Sequence, residues 1–365
     1  MGIIECEIRP FENCIRKVKY TNKIASQDYK SSGRFPIVSQ EEAFISGYWD
    51  DPEDVFHIDG PVVIFGDHSR HIKYVDFDFV IGADGVKILA PVDGINAKYL
   101  YYYLKSQPIQ SLGYSRHYKI LKEKMVPIPC LSVQQRIVAE LDLLSGIVEK
   151  KKAQLRTLDE LAQSIFTEMF GDPISNDRGW NYRRLDEVAD IIGGATPKTQ
   201  IEEYWSGKNY WVTPAELHKE RYQGATERTI SDEAVKKTNV TLLPIGTVLL
   251  SSRAPIGKVA ITTVPMYCNQ GFKNLVCSPS LNNEYAYQVL VSNTEYLNSL
   301  GTGATFKEIS KKTTEAIRIA VPPIRLQNEF AQKAKMIEKE KGMIHSSLNE
   351  ANNLLASRMD TYFSV

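Results

Sequence analysis

Two stretches of the chain decide the fold: residues 129–170, PCLSVQQRIVAELDLLSGIVEKKKAQLRTLDELAQSIFTEMF, and residues 322–363, PPIRLQNEFAQKAKMIEKEKGMIHSSLNEANNLLASRMDTYF. They align without a gap at a shift of 193 places. Few residues are identical, but the apolar residues keep the same alternating steps of three and four. This spacing is an a/d seam, the pattern by which helices wrap around one another. In the first stretch the seam comprises Leu141, Leu144, Val148, Leu155, Leu158, Ala162, Ile165 and Met169.

Each stretch predicts a helix of about 38–40 residues, which is roughly 60 Å long at the rise of an α-helix. A helix of this length is not stable in water through propensity alone, and its apolar stripe needs a partner. The other copy is the obvious partner, because two such helices joined by a globular domain can pack antiparallel. A plain dimerisation coiled coil accounts for the seam equally well.

Composition limits the possible functions. The 365 residues are 43% apolar and 10% aromatic, which suggests two or three domains. Lys+Arg and Asp+Glu both number 44, so bulk charge does not point to a nucleic-acid partner, and any such case must rest on local clusters. The five cysteines form no C-x-x-C pair, and we find neither a signal peptide nor an apolar run near 18 residues. We therefore expect a reduced, cytoplasmic protein without a membrane segment.

The first 130 residues are mixed and rich in turns. PVVIFG (61–66) predicts a buried strand, IKYVDFDFVIG (72–82) a half-buried strand, and VKILAP (86–91) a third strand. AKYLYYYLKSQ (97–107) has helical spacing. A P-x-P segment then ends regular structure before the first long helix.

The second half repeats this order. A short helix is expected to end at Gly193-Gly194, followed by two strands around a polar loop within residues 245–264. Residues 284–300 match the helix of the first half at an offset of 186, and the prolines match at 193. A slowly growing offset is what loop insertions in a duplicated unit produce.

The predicted fold is α+β, with two similar globular domains, each a mixed β-sheet with helices, and an internal pseudo-two-fold repeat. Two long antiparallel coiled-coil helices separate the domains. The predicted boundaries are 1–130 for the first domain, 131–171 for the first long helix, 172–322 for the second domain and 323–365 for the second long helix. Two similar domains held apart by helices suit duplex DNA, because it is a long partner with two sites.

Five short segments of the second domain carry a resemblance to a known family: GATP (194–197), YWVTP (210–214), SSRAPIG (251–257), NQGFK (269–273) and GATFK (303–307). In this order, before a P-P-x-x-x-Q helix start, they resemble the specificity subunits of Type I restriction–modification systems. The first domain is a looser match, which lacks the SRAPIG and NQGFK motifs. Its sequence target should therefore differ from that of the second domain.

The resemblance implies two target-recognition domains, each reading one half of a split, asymmetric DNA site, with the helices fixing the gap. It implies a non-catalytic subunit that binds double-stranded DNA and two methyltransferase subunits, and in some complexes restriction subunits. No cofactor is expected in this chain; S-adenosylmethionine for adenine methylation, ATP and Mg would belong to the partner subunits. The sequence agrees, because it contains neither a G-x-x-x-x-G-K-[ST] loop nor an Asn/Asp-Pro-Pro-Tyr/Phe segment.

Loops of the second domain supply candidate DNA-binding residues. An Arg fork on the loop between the two predicted strands could bind guanine O6 and N7, although a structural Arg satisfying loop carbonyls is the alternative. Amides on the NQGFK loop suit adenine, yet Asn and Gln also close turns. The candidates of this domain are Thr213, Arg253, Lys258, Asn269, Gln270, Lys273 and Lys307.

Two basic clusters supply the candidates of the first domain. A zinc site at His68-x-x-His71 lacks a neighbouring Cys or carboxylate pair, so we expect no metal. The second cluster suits backbone contact, but a solvated helix turn would look the same. The candidates of this domain are His68, Ser69, Arg70, His71, Lys73, Arg116 and Lys119.

Two other classes of function remain open at this point. A self-contained DNA methyltransferase or nuclease would bind S-adenosylmethionine or a metal by itself. A coiled-coil protein scaffold would select no split motif from random duplexes.

Overall fold

A computed structural model describes residues 6–110, 113, 115–218, 220–303 and 307–364. The chain forms two compact units, Met1–Lys152 with Ser346–Val365, and Ala153–His345. The two long helices are Leu131–Phe170 and Ile324–Phe363. The division between the units falls within both helices, so each unit contains one globular part and a portion of each helix.

The first unit contains two main sheets. Ile15–Arg16, Val86–Pro91, Val62–Gly66 and Ile72–Val75 form an antiparallel sheet in that order, and a second sheet is built around Phe79–Gly82. The other strands are Glu7–Pro10, Lys23–Ile24, Phe35–Val38, Gly47–Trp49, Val55–Phe56 and Met125–Ile128. The shorter helices are Ala97–Ser106 and Tyr118–Lys122, with 3-10 turns at Phe11–Cys14, Ser26–Asp28 and Pro52–Asp54.

The prediction of one strand over residues 72–82 is wrong. The structure has two strands, Ile72–Val75 and Phe79–Gly82, in different sheets. Asp78 breaks the run, because its carboxylate accepts a hydrogen bond from the Ile58 amide at 2.9 Å. All four residues of the second strand are buried, so it lies inside the domain instead of having one solvated face.

The second unit has the same construction. Ala189–Gly193, Lys273–Cys277, Val248–Leu250, Val259–Thr262 and Tyr222–Gln223 form one sheet in that order. The other strands are Asn181–Arg184, Asn209–Val212, Arg228–Ile230, Tyr267–Cys268 and Arg318–Val321. The shorter helices are Leu185–Val188, Asp232–Lys237, Asn283–Ser292, Thr294–Ser299 and Lys311–Ala316, with a 3-10 turn at Glu202–Trp205.

The prediction of a short helix that ends at Gly193-Gly194 is also wrong. The helix ends at Val188, and Ala189–Gly193 is a strand paired with Lys273–Cys277. The β-branched Ile191 and Ile192 favour the extended form, and the sheet provides their burial. Gly194 serves close packing, because a Cβ there would collide with the backbone oxygens of Cys268 and Asn269.

The repeat extends to individual hydrogen bonds at the start of each long helix. Gln134 is fully buried, accepts from the Asn96 amide at 2.8 Å, and donates to the Pro129 carbonyl at 2.8 Å. Gln327, at the offset of 193, is also fully buried and makes the same two bonds to Asn282 at 2.8 Å and Pro322 at 2.7 Å. The predicted α+β fold with an internal repeat is therefore confirmed.

The long helices are antiparallel where they meet within each unit. In the first unit the end of the second helix returns to the start of the first, since the Tyr362 hydroxyl donates to Glu140 at 2.6 Å. In the second unit the end of the first helix meets the start of the second, where the rings of Phe166 and Phe330 lie 5.3 Å apart. Lys341, an interruption of the predicted seam, bonds Asp159 at 2.8 Å.

Candidate DNA interface

Three segments of the second domain meet through backbone hydrogen bonds. The Ser252 amide donates to the Gly271 carbonyl at 2.8 Å, and the Ile309 amide donates to the Ser252 carbonyl at 2.9 Å. We call this meeting of Ser252, Gly271 and Ile309 the second junction. It brings together the loops that carry six of the seven candidates of this domain, and Thr213 lies on a fourth segment, residues 210–214.

Two cations of the second junction share one carboxylate. Arg253 Nε lies 2.9 Å from Glu308 Oε2, and Lys273 Nζ lies 3.4 Å from Glu308 Oε1. Burial opposes ionisation of Glu308, but the hydrogen bond from Arg253 and the charge of Lys273 outweigh it and lower its pKa. The Arg253 side chain is 46% exposed and that of Lys273 only 12% exposed. Arg253 is therefore the more accessible cation.

Two further candidates, Lys258 and Thr213, form hydrogen bonds to other groups of the domain. Lys258 Nζ donates to the Pro214 carbonyl at 3.0 Å, which ties the loop before the second strand to the YWVTP segment. The Thr213 hydroxyl donates to Glu216 Oε2 at 2.9 Å, and its amide donates to the same oxygen at 2.7 Å. These bonds shape the rim of the second junction.

The two amide side chains of the NQGFK loop have different contacts. Asn269 Oδ1 accepts from the Gly271 amide at 2.9 Å, so this side chain closes a turn. Gln270 is exposed and hydrogen-bonds the Thr196 hydroxyl. Lys307 is exposed beside Glu308, whereas residues 304–306 of the GATFK segment lie outside the described residues.

The first domain contains an equivalent junction. The Asp67 amide donates to the Gly85 carbonyl at 2.7 Å, and the His117 amide donates to the Asp67 carbonyl at 2.8 Å. We call this meeting of Asp67, Gly85 and His117 the first junction. Asp67 Oδ1 also accepts from the Tyr118 amide at 2.8 Å. The two predicted basic clusters, which are nearly 50 residues apart in sequence, are thereby brought together.

The candidates around the first junction differ in how they are held. Arg70 has a positive φ of 66° and donates from Nη1 to the Ile109 carbonyl at 3.0 Å, and Ser69 donates to the Gln40 carbonyl. The His68 amide donates to Gln40 Oε1 at 3.1 Å. The exposed candidates of this domain are His71, Arg116 and Lys119.

Lys73 lies apart from the other candidates of its domain. Its side chain is buried, and Nζ donates to the Ser39 carbonyl at 2.9 Å and to the Ala43 carbonyl. Burial lowers its pKa. The ammonium thus fixes the loop over residues 39–46, and a DNA contact would require those bonds to break.

Sequence reasoning missed Lys87, which lies on the strand equivalent to that of Lys273. Its Nζ lies 3.7 Å from Asp67 Oδ2 and 5.5 Å from the centre of the Tyr118 ring. The stretch VKILAP is predicted only as a strand, with no candidate site residue on it. The available signal was the offset of 186, which relates residue 87 to residue 273.

A second missed feature is the run from Arg16 to Lys23, which has four cations and no acid. Tyr20 anchors it, because its hydroxyl accepts from the Ile88 amide at 2.9 Å, next to Lys87. Lys23 Nζ lies 5.4 Å from the centre of the Tyr20 ring. This arrangement adds an aromatic and basic surface close to the first junction.

Other kinds of site can be assessed over the same residues. Where side chains are described, no group of three or more His, Cys, Asp and Glu has an arrangement that could hold a metal ion. None of the described helices is long and apolar enough to cross a membrane. All five cysteines are free thiols.

Comparisons with known proteins show which proteins this chain is similar to. The model of the Type I restriction modification DNA specificity domain matches residues 177–351. The specificity subunit of the MjaIX enzyme of Methanocaldococcus jannaschii is 37% identical over 158 residues, which are 42% of this chain and 37% of that relative. The EcoR124I/EcoR124II specificity subunit of Escherichia coli is 25% identical over 329 residues, which are 85% of this chain and 80% of that protein.

Solved structures share the fold over nearly the whole chain. The S subunit of a Type I restriction–modification system from M. genitalium has a TM-score of 0.62 at 15% identity, covering 99% of this chain and 97% of that one. A chain from a study of complex assembly in the Type I system has a TM-score of 0.55 at 18% identity, covering 98% and 97%. Residues 177–351 therefore match the Type I restriction modification DNA specificity domain, and the chain is similar to Type I specificity subunits over most of its length.

Proposed function

We propose that this chain recognises a split, asymmetric DNA site, with each domain reading one half. Its similarity to Type I specificity subunits supports the role of a DNA specificity subunit and not that of the catalytic component. The observation that carries the proposal is the repeated junction. The same backbone bonds around Ser252 and Asp67 present candidate side chains from separate loops in each domain.

The chemistry at the two junctions supports unlike half-sites. The second junction carries an exposed Arg253 held by a carboxylate on its rim, whereas at the first junction the carboxylate, Asp67, is 2% exposed. The position after Asp67 is a histidine where the position after Ser252 is Arg253. Different donors at equivalent positions read different bases, while cations near the rim bind phosphates and make affinity salt-dependent.

The partner subunits follow from the same proposal. Specificity subunits work within complexes, and we infer that two methyltransferase subunits bind this chain, supply S-adenosylmethionine chemistry and methylate adenine. Restriction subunits, where present, would supply ATP- and Mg-dependent cleavage. Exposed apolar residues on the long helices suit such docking: Leu143, Leu161, Met336, Met343 and Leu354.

The predicted domain boundaries and spacer role also belong to this proposal. We infer that residues 131–171 and 323–365 fix the gap between the half-sites, and that the complex acts in the cytoplasm, where its DNA is. The spacing between half-sites then depends on helix length, and the recognised letters depend on the junctions.

Mapping methylated adenines in the source genome, with and without this gene, tests the proposal. The expected result is one split motif with unlike halves that loses methylation when the gene is deleted. A methylation pattern that does not change on deletion, or a continuous motif, would overturn it.

A further inference from the structure

The backbone of Glu308 is fixed from both sides. It forms antiparallel bridges with Arg253 and with Thr302, including a hydrogen bond from its amide to the Thr302 carbonyl at 3.0 Å. The carboxylate of Glu308 therefore starts from a defined position at the second junction.

The carboxylate holds Arg253 by one nitrogen. Nε donates to Glu308 Oε2 at 2.9 Å, and within the described residues no acceptor contacts the two terminal nitrogens. A guanidinium reads guanine O6 and N7 with two N–H donors. Anchoring through Nε thus fixes the plane of the fork and leaves its terminal edge available to a base.

Fixing the Arg253 side chain before DNA binds lowers the conformational entropy that is lost on binding. A long exposed side chain loses rotamer freedom when it binds, and a side chain already fixed loses less. The same carboxylate places a negative charge near the phosphates, which disfavours DNA of any sequence. Glu308 therefore lowers the affinity for DNA of any sequence and increases the discrimination between sequences.

We propose that Glu308 is a positioning residue, which orients Arg253 toward a guanine edge and so sets one position of one half-site without touching the base. This inference rests on the proposed DNA-reading function. Lys273, held at 3.4 Å by the other carboxylate oxygen and at 3.2 Å by the Ser252 hydroxyl, keeps Glu308 from rotating away.

The test measures discrimination at every position of the mapped site. The purified methyltransferase complex is titrated with the target duplex, with duplexes carrying each single base-pair change, and with unrelated DNA, at several salt concentrations. The variants are Arg253→Ala, Glu308→Ala, Glu308→Gln and the double Ala variant. Glu187→Ala is the matched control, because Arg183 Nε lies 2.6 Å from Glu187 in a similarly exposed pair outside the junction.

The expected results have opposite signs for specificity and for general affinity. Arg253→Ala should lose about 5- to 150-fold discrimination at one G·C pair. Glu308→Ala should lose much of it at the same pair only, while unrelated DNA binds more tightly, and the double variant should discriminate no worse than Arg253→Ala. Glu308→Gln, which keeps an acceptor for Nε, should retain more discrimination than Glu308→Ala.

Several outcomes would overturn the inference. One is undiminished discrimination at every position in both Glu308 variants. Another is loss spread over many positions, or loss equal to that of Glu187→Ala, because either indicates a general structural role. If the unmodified complex preferred no sequence, the proposed function itself would fail, and this result is distinguishable because it precedes any substitution.

Discussion

Replacing Arg221 by methionine should destabilise the second unit strongly. Arg221 Nη1 lies 3.1 Å from Glu284 Oε2, and Nη2 donates to Gln288 at 2.8 Å. Nε lies 3.4 Å from Glu338 on the second long helix, and the guanidinium stacks 4.2 Å above the Tyr287 ring. One buried side chain thus connects a sheet edge to a helix of the domain and to the long helix.

The magnitude follows from what the substitution leaves behind. The side chains of Arg221 and Glu284 are only 4% and 2% exposed. Methionine fills much of the volume, but Glu284 keeps the Tyr222 hydroxyl at 2.8 Å and loses its cation. Removing one partner of a buried ion pair costs about 3–5 kcal/mol.

Urea unfolding of the full chain measures this cost. Tryptophan fluorescence reports mainly the second unit, which contains Trp180, Trp205 and Trp211, while Trp49 lies in the first. Because the chain has two units, peptide-resolved hydrogen exchange should locate the loss, and we expect it in residues 153–345. The double variant Arg221→Met with Glu284→Gln should recover much of the stability, because the uncompensated charge is gone.

Two results would refute this reasoning. One is a loss below about 1 kcal/mol in Arg221→Met, the size of an exposed pair. The other is a double variant no more stable than the single one, because the cost would then come from lost packing against Tyr287 and not from charge.

Further predictions concern hydrogen bonds, phosphate contacts, thiols and helix length. Gln134→Ala and Gln327→Ala should each cost about 1–3 kcal/mol in urea unfolding, since each removes a fully buried side chain that accepts from the amide of a partly buried Asn; equal stability to the unmodified chain would contradict this. Lys87→Ala should weaken all DNA binding and reduce the salt slope by about one, and an unchanged slope would argue against a phosphate contact. Alkylation followed by mass spectrometry should label exposed Cys130 well before Cys268. The Ser132 hydroxyl lowers the pKa of Cys130, whereas burial raises the pKa of Cys268 to about 12. Equal labelling rates of the two thiols in the folded chain would contradict this. Deleting one heptad from both long helices should change the spacer in a methylation map, and altered half-site letters would count against the spacer role.

The long helices were predictable because their apolar phase is a local, repeated signal. The bounds Leu131–Phe170 and Ile324–Phe363 lie within two residues of the quoted stretches. The strand Ala189–Gly193 was not predictable in the same way, because its pairing partner lies more than 80 residues further along the chain. Contacts between distant segments decide such elements, and no local period records them.

The loops of the candidate site could be predicted from the sequence, but the contacts between their side chains could not. The loops around Arg253 and Lys273 stood out because they carry polar residues between apolar strands. Glu308, which holds both, gave no signal because its partner Arg253 lies 55 positions earlier in the sequence. Asn269 illustrates the opposite error, since a residue type that suits adenine closes a turn.

The two domains use different ion pairs where they attach to the long helices. In the first unit Lys98 bonds Asp142 on the long helix at 2.9 Å, and the Tyr102 hydroxyl donates to the same residue at 2.6 Å. At the offset of 186 the position of Lys98 is occupied by Glu284, whose cation comes from Arg221. The charge at this position has the opposite sign, and the link to the second long helix is made by Arg221, whose Nε lies 3.4 Å from Glu338.

This difference separates two kinds of position in the repeat. Gln134 and Gln327 bond only backbone groups, and a backbone contact constrains the side chain that makes it, so both copies keep glutamine. Contacts between two side chains can change, as the opposite charges of Lys98 and Glu284 and their different partners illustrate. The junction side chains are freer still, because backbone bonds of Asp67 and Ser252 connect the segments of each junction. A duplicated domain built in this way can change the bases that it reads without changing how it is held on the helices.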